Sequence, residues 1–93
     1  MSSVVAVLGA QAARQGLAHF DGYDEIVVLE ASVDELERLL RELADPRLDY
    51  LLGELPVLPL PDASVDLVLG AEAGDPEVDR VLRPGGRAEA VGV

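Results

Sequence analysis

The sequence predicts an α/β fold built on an open parallel sheet of five strands, and three observations carry that expectation. Short apolar runs of strand length recur at Val4–Leu8, Glu25–Leu29, Leu48–Leu52 and Val65–Leu69. The first two lack the polar alternation of a sheet with one wet face, as strands covered on both sides do. Helical segments, or in one place an extended loop, separate these runs. Turn signals then mark the later half: Pro59-Leu60-Pro61-Asp62-Ala63-Ser64 before the fourth run, and Arg83-Pro84-Gly85-Gly86 before a fifth at Arg87–Val93. This succession calls for parallel strands joined by right-handed crossovers. The 93 residues suffice for one domain, 1–93, with one core.

In order, the first strand is bounded by Ser3 and Gly9. A helix over Gly9–Phe20 follows, with Ala12, Ala13, Leu17 and Phe20 as its apolar stripe and Asp21-Gly22 as its end. After Glu25–Leu29, Ser32 and Glu35 form a capping-box pattern. The helix they start presents Val33, Leu36, Leu39, Leu40 and Leu43 on one face, and Glu37–Arg41 and Arg38–Glu42 as i,i+4 pairs on the other. Asp45-Pro46 stops it. Pro56, Pro59 and Pro61 forbid a helix between Gly53 and Ser64, so that crossover is a loop. Asp75-Pro76 places an N-cap and a proline at the first helical position of a short helix running to about Leu82.

Composition narrows the function. At 49% hydrophobic and 27% charged the chain is globular, and with 3% aromatics its core rests on Leu, Val and Ala. A net charge of −11, with seven Arg and no basic run, argues against a nucleic-acid partner. No cysteine means no disulfide framework and no thiolate metal site, and a lone His19 supplies no metal set. The N-terminus lacks the pattern of a signal peptide and no apolar run reaches membrane-spanning length, so a cytoplasmic protein with no membrane partner is expected. Lys, Asn, Thr and Trp are absent, a bias that a G+C-rich genome or a thermophile would each produce.

Leu-Pro-Leu-Pro-Asp-Ala-Ser-Val-Asp-Leu-Val at Leu58–Val68 and Arg-Val-Leu-Arg-Pro-Gly-Gly at Arg80–Gly86 resemble the second half of class I S-adenosylmethionine-dependent methyltransferases. That family typically reads LPFPDGSFDLV, a helix, then RVLKPGG. The resemblance covers about Val4 to Val93 and is strongest after Glu30. It implies a three-layer, Rossmann-like open parallel sheet of order 3-2-1-4-5, lacking the family's last two strands, with its ligand at the switch point between strands one and four.

The resemblance also implies the cofactor positions. After strand one they are Gly9, Ala10 and Gln11; the family's acid-x-Gly-x-Gly-x-Gly reads Val7, Gly9, Gln11 and Ala13 here, and Gln11 is expected to project into the cofactor's space. Glu30 and Ala31 follow strand two, Glu30 standing where the family's acid accepts both ribose hydroxyls. Glu54 and Leu55 follow strand three, Glu54 at the position beside the adenine amino group. Gly70, with Ala71, ends strand four beside the reactive methyl, and neither can do acid–base work. Each has a plain structural alternative: a strand-to-helix turn at Gly9, and at Glu30 a surface acid favoured by a helix dipole. Asp62, Ser64 and Asp66 read as turn residues, and Tyr23 and Tyr50 either stack on an adenine or pack in the core.

Two functions follow. One is a methyltransferase-family domain that binds S-adenosylmethionine or S-adenosylhomocysteine with weak or lost methyl transfer, with no catalytic residue assigned. The other is a non-catalytic, homodimerising pseudoenzyme or protein-interaction module. Strand five becomes a sheet edge, where Glu89 reads as an edge guard, and a homodimer is expected because a small sheet with a missing neighbour has apolar surface left over.

Overall fold

β1 (Val4–Leu8) is the middle of a five-stranded parallel sheet, and its sequence explains the position: Val4, Val5, Ala6 and Val7 are all buried, so both faces of the strand are covered. The computed structural model describes residues 3–15, 22–42, 47–53, 57–71 and 74–90, with side chains at positions 10, 11 and 15 left aside. The strand order is β3-β2-β1-β4-β5, as the resemblance implied. β2 (Glu25–Glu30) pairs with β1 from Val4↔Glu25 to Leu8↔Leu29, and β3 (Leu48–Leu52) pairs with β2. β4 (Val65–Leu69) lies on the other side of β1, with Val5 opposite Leu67, and β5 (Leu82–Glu89) lies beyond it.

Alternate residues feed two apolar layers. Val5, Val7, Ile26, Val28, Leu67 and Leu69 meet Ala12 and Ala13 of α1 (Ala10–Gln15) and Leu39 of α2 (Val33–Glu42). Val4, Ala6, Leu29 and Val68 meet Leu58 of the loop and Val78 and Val81 of α3 (Pro76–Val81) on the opposite face. Tyr23 and Tyr50 pack against the first layer, which is the packing alternative for both. No helix among the described residues is long and apolar enough to cross a membrane.

α1 is described over Ala10–Gln15, and Leu17, His19 and Phe20 lie outside the described residues, as do Leu43 and Asp45-Pro46. Other expectations need correcting. On α2 only Leu39 is fully buried; Val33 and Leu40 are each 53% exposed, because a helix over the outer strands covers a narrow stripe. Glu42 pairs with Arg14 of α1 at 2.7 Å and Glu35 with Arg38 at 3.0 Å, so the charges on α2 join helices and span i,i+3. β5 begins at Leu82 and not at Arg87. Val65 faces Leu82 while Leu67 faces Arg87, so the strand bulges around Pro84-Gly85-Gly86, the expected turn, within a single element.

Arg80 is the clamp of the later half. Its guanidinium donates to the Leu58 carbonyl at 3.0 Å, the Leu60 carbonyl at 2.9 Å, the Asp62 carboxylate at 2.6 Å and, through Nε, to Glu77 at 3.0 Å. Glu77 in turn accepts the Leu58 amide at 2.8 Å. The proline-stiffened loop is thereby fastened to α3. Ser64 closes its turn as expected, its hydroxyl donating to the Pro61 carbonyl at 2.8 Å. Asp66 does not act as a turn residue: it accepts the Val4 amide at 2.8 Å and Arg83 at 2.9 Å, across the sheet.

The Arg80 guanidinium, and then the Leu58 amide, pull the Glu77 carboxyl down to about 2 from the usual 4.5. A depressed carboxylate contributes stability that is full above the unfolded value and is lost as pH falls through the folded one. Thermal unfolding followed from neutral pH to about pH 2 is therefore expected to show a flatter acid limb for Glu77→Gln than for the parent, the difference lying between about 4.5 and about 2. Ala63 is held at φ +49°, a left-handed conformation that the family pattern fills with glycine. Ala63→Gly is expected to stabilise by about 0.5–1 kcal/mol in denaturant unfolding, the relieved strain exceeding the added unfolded-state entropy.

Candidate functional site

The strands end on one edge of the sheet, and three of those ends carry a glycine whose amide prolongs the ladder. Gly9 donates to the Leu29 carbonyl at 2.7 Å, Gly53 to the Glu30 carbonyl at 3.0 Å and Gly70 to the Glu89 carbonyl at 2.9 Å. Above them lies an open cleft of about 330 Å³ lined by Leu8, Gly9, Leu29, Glu30, Ala31, Gly53 and Gly70. Open α/β sheets place ligands at the carboxyl ends of their strands, and this volume is at the lower end of the range for small-molecule sites.

Two of these glycines serve different ends. Gly9 has φ +97°, and a Cβ built there meets nothing within 4 Å, so the backbone turn leaves free space at the end of β1. Gly70 has φ +93°, and a Cβ there would stand 2.5 Å from the Leu8 carbonyl oxygen and 3.1 Å from the Ala12 Cβ. Gly70 therefore allows β1 and β4 to close at the switch point.

Glu30 is the charged residue in the described lining, and it is half-buried. Its Oε2 accepts the Ser32 amide at 2.6 Å. The expected capping box is thus only half made: Ser32 Oγ accepts the Glu35 amide at 3.4 Å, but Glu35 turns to Arg14 and Arg38, and Glu30 takes the Ser32 amide in its place. The reason is distance along the chain, since a carboxylate two residues before the amide reaches it without leaving the strand end. Arg14 completes the frame by binding Glu42 at 2.7 Å and Glu35 at 3.4 Å. The hydrogen bond to Glu42 raises the Arg14 pKa and lowers that of Glu42. This ties the helix after Gly9 to the helix after Glu30.

The structure thus brings Gly9, Glu30, Ala31 and Gly70 around one cleft. Ala10 and Gln11 are described only as helix residues, and the expected projection of Gln11 falls on a side chain outside the description. Glu54 and Leu55 lie outside the described residues. Val7 and Ala13, at positions where the family pattern has an acid and a glycine, are fully buried in the first apolar layer and do not face the cleft. Leu8, Leu29 and Gly53 were not singled out from sequence; their placement at strand ends was the signal that identifies them.

Two features of the described lining bear on an adenosyl cofactor. The Glu30 carboxylate, the kind of group that accepts hydrogen bonds from a diol, is held by the Ser32 amide, and a Cβ at Gly9 would meet open space.

No family model and no curated protein matches the chain. Solved structures do. A methyltransferase in a Haloferax volcanii complex with the Trm112 methyltransferase activator is 28% identical with a TM-score of 0.78, over 96% of this chain and 44% of that one. An S-adenosylmethionine-dependent methyltransferase from Mesorhizobium loti is 25% identical with a TM-score of 0.73, over 96% of this chain and 45% of that one. The [4+2]-cyclase SpnF shares the fold at 18% identity and a TM-score of 0.72, over 96% of this chain and 38% of that one. The chain spans less than half the length of each of these. Its described architecture is that of the class I methyltransferase fold, and the cyclase is a reminder that such a fold serves more than one reaction.

Proposed function

We propose that this chain, built on the class I methyltransferase fold, binds S-adenosylmethionine or S-adenosylhomocysteine in the cleft at the ends of β1, β2, β3 and β4, with methyl transfer weak or lost. The observation that carries the reading is Glu30, a carboxylate fixed by the Ser32 amide at the mouth of a cleft whose neighbouring turn leaves open space at Gly9. S-adenosylmethionine, when bound, supplies an electrophilic methyl group. The chain's part is to bind: Glu30 accepts the ribose hydroxyls, while Leu8 and Leu29 wall the cleft and exclude water from one side of the ligand.

Calorimetric titration with S-adenosylhomocysteine is expected to give saturable heat, and Glu30→Ala to weaken binding by about ten- to a hundredfold, the worth of hydrogen bonds to a charged group. Absence of heat at millimolar ligand ends the reading.

A second reading is a non-catalytic, homodimerising interaction module. It is favoured by exposed apolar side chains on the outer strand β3, Leu51 at 37% and Leu52 at 55%, and by Val33 and Leu40 on α2. Light scattering at micromolar concentration is expected to give the mass of two chains; a monomer throughout rejects it.

A further inference from the structure

We infer that the chain pairs with a second copy of itself through β3 and α2, the two α2 helices lying antiparallel with Glu37 of one beside Arg41 of the other. The inference rests on the homodimer reading above and assigns the face that makes the dimer.

The flanks of α2 do different things. At roughly 3.6 residues to the turn, Glu35 and Glu42 share one flank, and both bind Arg14 of α1. Leu39 points down into the first apolar layer. The flank away from α1 carries Val33, Leu36 and Leu40, with Glu37 and Arg41 at its outer margin; Leu36 is half-buried and the other four are exposed. That flank overhangs β3, because α1 packs on β1 and β2 while α2 packs on β2 and β3. Among the described residues β3 ends the sheet, and Leu51 and Leu52 on it are exposed as well. Four of the five exposed large apolar side chains among the described residues therefore gather at one corner, and an interface placed there covers them together.

Strand spacing joins the strand and the helix into one interface. A two-fold axis through the sheet sets a second β3 antiparallel beside the first and keeps both α2 helices on the same face. Each helix lies over the β2–β3 pair, so the two helices stand two strand spacings apart, about 10 Å, the distance at which helices pack. Leu36 of one then faces Leu40 of the other across the seam. Two chains of net charge −11 repel each other, so a face that pairs them must bring opposite charges together locally. α2 does this: Asp34 and Glu37 precede Arg41 along the helix, and in an antiparallel pair the acidic half of each meets the basic half of the other.

The test is sedimentation equilibrium of the full chain at micromolar concentration, with Glu37→Arg and Arg41→Glu measured singly and as an equimolar mixture. Each reversal sets like charges against each other at both symmetric contacts. The expected result is a dimer dissociation constant raised about tenfold or more for either variant alone. In the mixture every changed side chain meets its opposite, and the constant returns to within about threefold of the parent's. The mixed pair carries the same total charge as the parent pair, so that return reads the local contact and shows both variants folded. A dimer that either reversal leaves intact, or a mixture that stays dissociated, overturns the inference and leaves the homodimer reading standing on another surface such as the β5 edge. A parent chain that is monomeric throughout overturns both.

Discussion

Gly70→Ala is expected to lower the unfolding free energy by about 2–5 kcal/mol, the sum of a left-handed backbone penalty of about 1–2 kcal/mol and an overpacking penalty of about 1–3 kcal/mol. Gly70 sits at φ +93°, where an L side chain is strained whatever the space around it. The added Cβ would also lie 2.5 Å from the Leu8 carbonyl oxygen, and a backbone atom has no rotamer by which to retreat. Relief requires β4 to draw away from β1, yet Val7↔Leu69 is the last registered pair before that point and Gly70 itself donates to Glu89. A domain of this length is stable by about 5–14 kcal/mol in all, so the variant loses a large share of it. Denaturant unfolding read at a shared slope is the measurement; a change below about 1 kcal/mol would show that the switch point is looser than its geometry.

Gly9 is the natural comparison. Its φ of +97° imposes the same backbone strain, but a side chain there would meet open space. Gly9→Ala should therefore show only the conformational part, about 1–2 kcal/mol, while its methyl group intrudes on the cleft. One glycine is required by the protein's own packing, the other by backbone conformation beside a vacant volume. That contrast separates a structural glycine from a site glycine on the same edge of the sheet.

The strands were legible because burial on both faces writes a continuous apolar run. The bounds of β1, β3 and β4 were read as they stand, and β2 runs one residue further, to Glu30. Strand order is another matter: periodicity cannot say that β1 lies between β2 and β4, and that came from the resemblance carried by Leu58–Val68 and Arg80–Gly86. The apolar face expected of α2 is wider than the buried one because Leu39 and Leu40 are equally apolar, and only the position of the helix over the outer strands buries one of them. The role of Arg80 is not legible in its motif, since its partners Leu58, Leu60 and Asp62 are 18 to 22 residues away. At the site, Glu30 was identifiable as an acid at a strand end. Its bond to the Ser32 amide was not, because the pattern offered Glu35 for that place and only the local geometry decides between them.

Leu29→Ala joins the core to the cleft and is the other large expected effect, about 2–5 kcal/mol of stability. Leu29 is 1% exposed and belongs to the apolar layer of Val4, Ala6, Leu58, Val68, Val78 and Val81. It also forms the floor of the cleft, and its carbonyl accepts the Gly9 amide at 2.7 Å. Its Cδ2 lies 3.5 Å from where a Cβ on Gly53 would stand, a space that Pro59 crowds more closely at 2.8 Å. Truncation removes the leucyl group from that layer and leaves a void open to the cleft on one side. Water entering from the cleft finds only apolar walls and gains few hydrogen bonds there, so filling recovers little of the loss. The backbone bond to Gly9 survives, and so the turn that shapes the cleft should persist. The variant is then expected to unfold at lower denaturant while its affinity for S-adenosylhomocysteine falls less than in Glu30→Ala. If affinity fell as far as in Glu30→Ala with stability unchanged, the leucine would be a ligand contact and not the keystone of the layer beneath.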